Sequence, residues 1–221
     1  MASAITSEMV KQLREQTGAG MMDCKKALEE AGGSIEQGIE VLRKKGLKSM
    51  DKRAGKVAAE GTLGVYIHAG GQVCAIVELN SETDFVSRNE DFVNLARDIA
   101  LHVAAMKPRF LNIEEVPESE IEKEKEILLA QLNDQQKAKA DKILPGKIEK
   151  FYEENVLMRQ LFVKDDSGKK TVADLVQELS LKCGEKVVVR RFVRFEVGEG
   201  IAKNEQNFAE EVASMVQPSA N

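Results

Sequence analysis

The apolar periodicity of the chain changes at Thr62, and that change rules out an all-helical fold. From Thr62 onward Leu63, Val65 and Ile67 alternate with Gly64, Tyr66 and His68, the period of two that a strand imposes on its side chains. Gly70-Gly71 then offers a tight turn, and "QVCAIVELN" (72–80) continues with Val73, Ala75, Val77 and Leu79 on one face, so this stretch reads as a hairpin. The strongest strand signal is "KVVVRRFVRFEVG" (186–198), which is β-branched and aromatic throughout. It is expected to pair with the hairpin and close a small antiparallel sheet. With helical patterns nearly everywhere else, the fold class is α+β.

Residues 4–47 read as three short helices separated by glycines. Ile5, Met9, Val10 and Leu13 form the first stripe, which "TGAG" (17–20) breaks. "MMDCKKALEEA" (21–31) turns Ala27, Leu28 and Ala31 inward. Ser34 and Gln37 have capping-box spacing and open a third helix carrying Ile35, Ile39 and Leu42. Helices this short are marginal alone, so they must pack as a bundle. The segment 43–56 that follows holds seven basic residues against one acid. It reads as a solvated helix end plus linker, or more sharply as a phosphate-binding strip that lacks interleaved aromatics.

Further on, Phe92, Leu95, Ala96, Ile99 and Val103 make a helical stripe that ends before Pro108. Residues 118–143 are charged, glycine-free and helix-favouring, with a thin seam of Ile121, Leu128 and Leu132. Pro145-Gly146 interrupts this pattern, and "KIEKFYEENVL" resumes it. A projecting antiparallel helical hairpin (about 118–155) fits, of coiled-coil character, its seam offered to a partner or to a second copy as a homodimer contact. A solvated single helix is the competing reading. "DDSGKK" (165–170) is a turn and not a phosphate loop, because no Ser or Thr directly follows Lys169. "TVADLVQEL" (171–179) is a helix with Val172, Leu175, Val176 and Leu179 inward, and a last helix over 205–216 carries Phe208, Val212 and Met215. The expected domains are 1–55, a three-helix bundle; 56–200, the α+β core; and 201–221, a C-terminal helical module.

Nothing in this pattern supports covalent chemistry. There is no GxSxG, HExxH, CxxC or GxGxxG, and only two histidines occur. The three cysteines, Cys24, Cys74 and Cys183, are scattered without ligand spacing and read as reduced thiols. No metal, cofactor or catalytic residue is expected. A net charge of −5 argues against broad nucleic-acid binding. The opening residues lack an apolar h-region, and no apolar run is long enough to span a bilayer. A cytoplasmic location without membrane attachment is therefore expected.

The informative features are apolar groups placed in turns. Phe85 follows Asp84 where a strand gives way to a helix, a place that usually takes small polar residues. Either the ring folds back onto the hairpin or it is offered to another protein. Met21 and Met22 open the second helix. They are either packing residues, one of the two facing inward, or an adaptable contact surface.

These features coincide with a known family. "LREQTGAGMMDCKKALEEAGG" (13–33), "TDFV" (83–86) and "RFEVGEGI" (194–201) resemble, in order, the hallmark segments of translation elongation factor Ts. With one hairpin and one TDFV segment, the chain resembles the short form of that family, which has a single core repeat. The resemblance implies a guanine-nucleotide exchange factor for elongation factor Tu that acts in protein synthesis, with a ubiquitin-associated-like N-terminal bundle seated on the GTPase. Carried over by motif, Arg14, Met21 and Met22 would contact the GTPase domain. Thr83, Asp84, Phe85 and Val86 would approach its nucleotide pocket from the Mg²⁺ side and dislodge the metal. Two rivals remain on the residues alone: an adaptor whose bundle binds ubiquitin-like or ribosomal partners, and an RNA-binding protein using 43–56. The first leaves TDFV unexplained, and the second predicts a steep salt dependence.

Overall fold

The computed structural model describes residues 5–17, 19–53 and 55–201, without the side chains of 47–52 and 134. The expected helix over 205–216 lies outside the described residues. Three helices come first: α1 (Ser7–Thr17), α2 (Met21–Glu30) and α3 (Ile35–Arg53). Their shared core is Val10, Leu13, Cys24, Ala27 and Leu28, with Ile5, Met9, Ile35, Ile39 and Leu42 packed against it. Cys24 is fully buried, so this thiol serves as a small core hydrophobe. Of the Ser34–Gln37 capping pair only one half forms, the Gln37 N–H donating to Ser34 Oγ at 3.3 Å.

The stretch 43–56 is not a linker over most of its length. α3 runs through it to Arg53 and rests on the body of the protein. A Cβ at Gly46 would collide with Leu181 Cδ2; the missing side chain allows the helix to lie against its neighbour.

The body is an α+β unit built on three antiparallel strands, β1 (Glu60–Ile67), β2 (Val73–Ser81) and β3 (Val188–Glu196), in the order β1-β2-β3. The expected pairing of the C-terminal strand with the hairpin is thus present. Between β2 and β3 lie α4 (Asp84–Ser87), α5 (Glu90–Met106), α6 (Glu118–Ala130), α7 (Asp134–Lys137), α8 (Ala140–Asn155) and α9 (Val172–Cys183). α5 starts cleanly, with the Asn89 side chain accepting the Asp91 N–H, and stops at Lys107 in the left-handed region (φ 51°). α9 opens on a full capping box between Thr171 and Asp174 and ends at Gly184 (φ 68°).

α5 covers one face of the sheet. Ala75, Val77, Leu79, Phe92, Ala96, Ile99, Val103, Val172 and Val176 share one core. Strand β1 contributes to it in an unexpected sense. Its large residues Leu63, Val65 and Ile67 are exposed, while Gly64 is buried. A Cβ on Gly64 would strike the backbone carbonyl of Ala96. Glycine is therefore required there for α5 to approach the strand. The opposite face is consequently apolar and open: Val65 and Ile67 of β1 and Val193 and Phe195 of β3 flank Ile76 and Cys74 of the central strand. At one end of that face Glu78 accepts from both Arg190 (2.8 Å) and Arg191 (2.6 Å). Two successive arginines reach one carboxylate because the β2–β3 register slips between Glu78 and Leu79.

α6 and α8 pair as an antiparallel hairpin, so the solvated single helix is excluded. The seam is closed between the two arms: Leu128, Leu132, Ile148 and Phe151 are buried. Pro145 does not interrupt the second arm; α8 continues through it. It sits near the start of an exposed helix, where the loss of one N–H donor is tolerated better than in a buried interior. Among the described residues no helix is long and apolar enough to cross a membrane.

Candidate partner-binding surface

Thr83, Asp84, Phe85 and Val86 come together on one short turn at the end of β2. An isolated turn of this length cannot persist alone, since helix nucleation is unfavourable. Local hydrogen bonds close it: Arg88 N–H donates to the Asp84 carbonyl at 3.1 Å, and Ser87 Oγ donates to the same oxygen at 3.0 Å. Ser81 Oγ donates to the Thr83 carbonyl at 2.9 Å. Val86 packs against the sheet core, and Ser87 is buried. Phe85, one residue earlier and so rotated by about 100° around the helix, points outward and is 84% exposed. The ring is not folded back onto the hairpin.

Asp84 forms an ion pair with Arg88 at 3.1 Å. This lies one helical turn along and outside the core, so it orients the turn more than it stabilises the fold.

Arg14, Met21 and Met22 sit apart from this turn, on the bundle. Arg14 closes α1 and is exposed. Met21 and Met22 open α2 and are 47% and 64% exposed. The expectation that one methionine faces inward does not hold: α2 buries Cys24, Ala27 and Leu28 instead, and Met21, although it stands three residues before Cys24 and so has the stripe's spacing, is exposed and outside the bundle core, as is Met22. Two flexible thioethers are left on the surface of a helix start.

Polar groups beneath the turn escaped sequence reasoning. The Thr83 N–H donates to Glu185 Oε2 at 3.0 Å, and its hydroxyl donates to Glu185 Oε1 at 2.7 Å. Next to it, Glu82 accepts both from Arg53 (2.8 and 3.0 Å) and from the Lys186 N–H (2.8 Å). That Lys186 N–H, with help from Arg53, holds the Glu82 carboxyl below its ordinary range. Glu185 and Lys186 lie in the junction between α9 and β3. Nothing in a local window marks them, because their partners are about a hundred residues away in the chain. Among the described residues no cluster of His, Cys, Asp or Glu is arranged to hold a metal ion.

Phe85, Met21 and Met22 are thus apolar side chains left exposed on a turn and a helix start. Compared with known proteins, residues 3–199 match the family model described as elongation factor TS. A relative from Desulforamulus reducens, named elongation factor Ts, is 55% identical over 215 residues, covering 96% of this chain and 98% of its own length. Another elongation factor Ts, from Moorella thermoacetica, is 55% identical over 204 residues, covering 91% of this chain and 100% of its own. One from Anaeromyxobacter dehalogenans is 52% identical over 211 residues, with 95% of each chain covered.

Proposed function

The chain belongs to the elongation factor Ts family, and from that premise we propose that it is a guanine-nucleotide exchange factor for elongation factor Tu, supporting translation elongation without covalent chemistry of its own. The observation that carries the reading is Phe85: a large ring 84% exposed on a turn whose next residues are anchored in the core. A side chain held that way has its pocket in another protein.

In this reading the Thr83–Val86 turn enters the GTPase near its Mg²⁺ and phosphate site, and Phe85 is the wedge. Bound GDP is held by the metal and by phosphate-loop N–H groups, so displacing either raises its off-rate. A thousandfold acceleration needs about 4 kcal/mol of differential interaction, whereas burying one Phe supplies about 1.5–3 kcal/mol. The ring alone falls short. Arg14, Met21 and Met22 supply a second contact by seating the bundle on the GTPase domain, and the body between them keeps both contacts engaged. Coupling is reciprocal: a factor that lowers nucleotide affinity is itself released when nucleotide rebinds. Asp84, already paired with Arg88, orients the turn; it is not a ligand for the metal.

Release of a fluorescent GDP from elongation factor Tu, with and without this chain, tests the reading. Acceleration by the chain, lost by at least about tenfold in Phe85→Ala, is the expected result. An unchanged release rate in the presence of the wild-type chain removes the exchange function.

A further inference from the structure

We propose that Glu185 is a positioning residue for the wedge: its carboxylate fixes the Thr83–Val86 turn from below, and the neighbouring Glu82 clamp ties that turn to the end of α3. The proposal rests on the exchange reading and deepens it.

The two clamps are reciprocal. Glu82 and Thr83 face Glu185 and Lys186, each pair consecutive in the chain. Glu185 Oε2 accepts the Thr83 N–H at 3.0 Å, and Glu82 Oε1 accepts the Lys186 N–H at 2.8 Å. Each carboxylate thus takes a backbone donor from the other pair. The second oxygen of each is also used. Glu185 Oε1 takes the Thr83 hydroxyl at 2.7 Å, and Glu82 Oε2 takes Arg53 at 2.8 Å. Charge-assisted bonds of this kind are short, directional and stronger than neutral ones.

Thr83 shows what the clamp does. It is the N-cap of α4, with extended backbone (φ −127°, ψ 157°), yet its side chain makes no capping bond to that helix. An N-cap threonine ordinarily spends its hydroxyl on its own first turn. Here the hydroxyl is turned to Glu185, and the cap residue is tied to the body of the protein instead. The direction in which α4 leaves the sheet, and with it the direction of Phe85, is set by that tie. The ring cannot orient itself, because at 84% exposure it has almost no contacts of its own. Arg53, the last residue of α3, brings the three-helix bundle into the same network, so the two partner-contacting regions share one rigid reference.

The experiment uses the full chain and three readouts: the maximal rate of fluorescent-GDP release from elongation factor Tu, the chain concentration giving half that rate, and hydrogen exchange of the Thr83, Ser87 and Arg88 amides in the free chain. Glu185→Ala is expected to lower the maximal rate about tenfold while the half-saturating concentration moves by less than about twofold, the signature of a lost transition-state interaction. Its three amides should exchange faster than in wild type. Glu185→Gln keeps a carbonyl acceptor and should recover most of the rate. Thr83→Val, which replaces only the hydroxyl, should lose about three- to fivefold of the maximal rate, with the same amides exchanging faster. Amide exchange in that variant, read in the free chain, decides the matter if Glu185→Ala fails to fold. An unchanged maximal rate with unchanged amide exchange overturns the proposal. So does a rise in half-saturating concentration alone, which would make Glu185 a direct contact. If the wild-type chain does not accelerate release, the exchange reading fails, and amide exchange still decides whether Glu185 holds the turn.

Discussion

Phe85 and Val86 are adjacent on one helical turn and leave it about 100° apart: the ring is 84% exposed, while the valine packs against the sheet core. In the proposed exchange reading, that division separates recognition from stability at neighbouring positions. Phe85→Ala removes little buried surface from the free chain, so its unfolding free energy should stay within about 0.5 kcal/mol of wild type. Val86→Ala removes buried methyl groups and should cost about 1 kcal/mol. Denaturant titration of both, set beside GDP release, should separate them: activity lost with stability kept for Phe85, and stability lost for Val86. If Phe85→Ala were destabilised as much as Val86→Ala, the ring would be a core residue in solution.

Met21 and Met22 offer a second test of the same kind. Both are exposed in the free chain, Met21 at 47% and Met22 at 64%, so the double change to Ala should leave the thermal midpoint nearly unchanged. As an adaptable contact surface they should act on complex lifetime. Dissociation from elongation factor Tu is expected to quicken about tenfold with association little altered, since interface changes act mainly on the off-rate. Stopped-flow or surface-binding traces separate the two rates. Lost stability with unaltered binding would return both methionines to the bundle core.

Much of this architecture was legible from periodicity. The bundle stripes, the hairpin, the C-terminal strand and the stripe of α5 all follow from side-chain spacing, which is a local property. The facing of β1 was not. Alternation identifies a strand but is symmetric between its two faces, and Leu63, Val65 and Ile67 lie on the side away from α5. What selects the face is Gly64, whose missing Cβ admits the Ala96 carbonyl, and that contact spans two elements. The clamp under Thr83 was hidden for the same reason: Glu82 and Glu185 look like any surface carboxylates until the fold brings them to each other's backbone donors. The continuation of α3 was hidden as well: the basic charges of 43–56 read as a solvated helix end and linker, whereas Gly46 within it is a contact point for Leu181.

Gly64 makes that contact testable. Its would-be Cβ meets backbone atoms of Ala96 and Arg97, and backbone in the middle of α5 cannot give way as a side-chain end can. Gly64→Ala should destabilise the chain by about 1–3 kcal/mol through overpacking. Gly55→Ala, where nothing lies within 4 Å of the added carbon, should be close to neutral. Thermal unfolding of the pair gives the comparison, and equal midpoints would mean that α5 sits farther from β1 than described.

His102 makes the stability of the body depend on pH. It is fully buried in α5, accepting the Val163 N–H at Nδ1 (3.2 Å) and contacting Gln160 Oε1 through Nε2 (3.0 Å). A carbonyl oxygen only accepts, so Nε2 carries the proton and the ring is neutral. Burial pushes its pKa below the usual histidine value, with the Gln160 contact opposing in part. The unfolded chain, titrating near 6.5, therefore binds the proton first as pH falls. The stability owed to the neutral ring is complete above that value and declines through the range below it. Carboxylates held low by their partners act later: Glu196, brought down to about 2 by Lys107 and Arg194, loses its contribution only below its ordinary carboxylate range. Two separate declines should appear when unfolding free energy is measured from pH 8 to pH 3. His102→Gln should lower stability at neutral pH and abolish the upper decline while leaving the lower one. Persistence of the upper decline in that variant would assign it to another group.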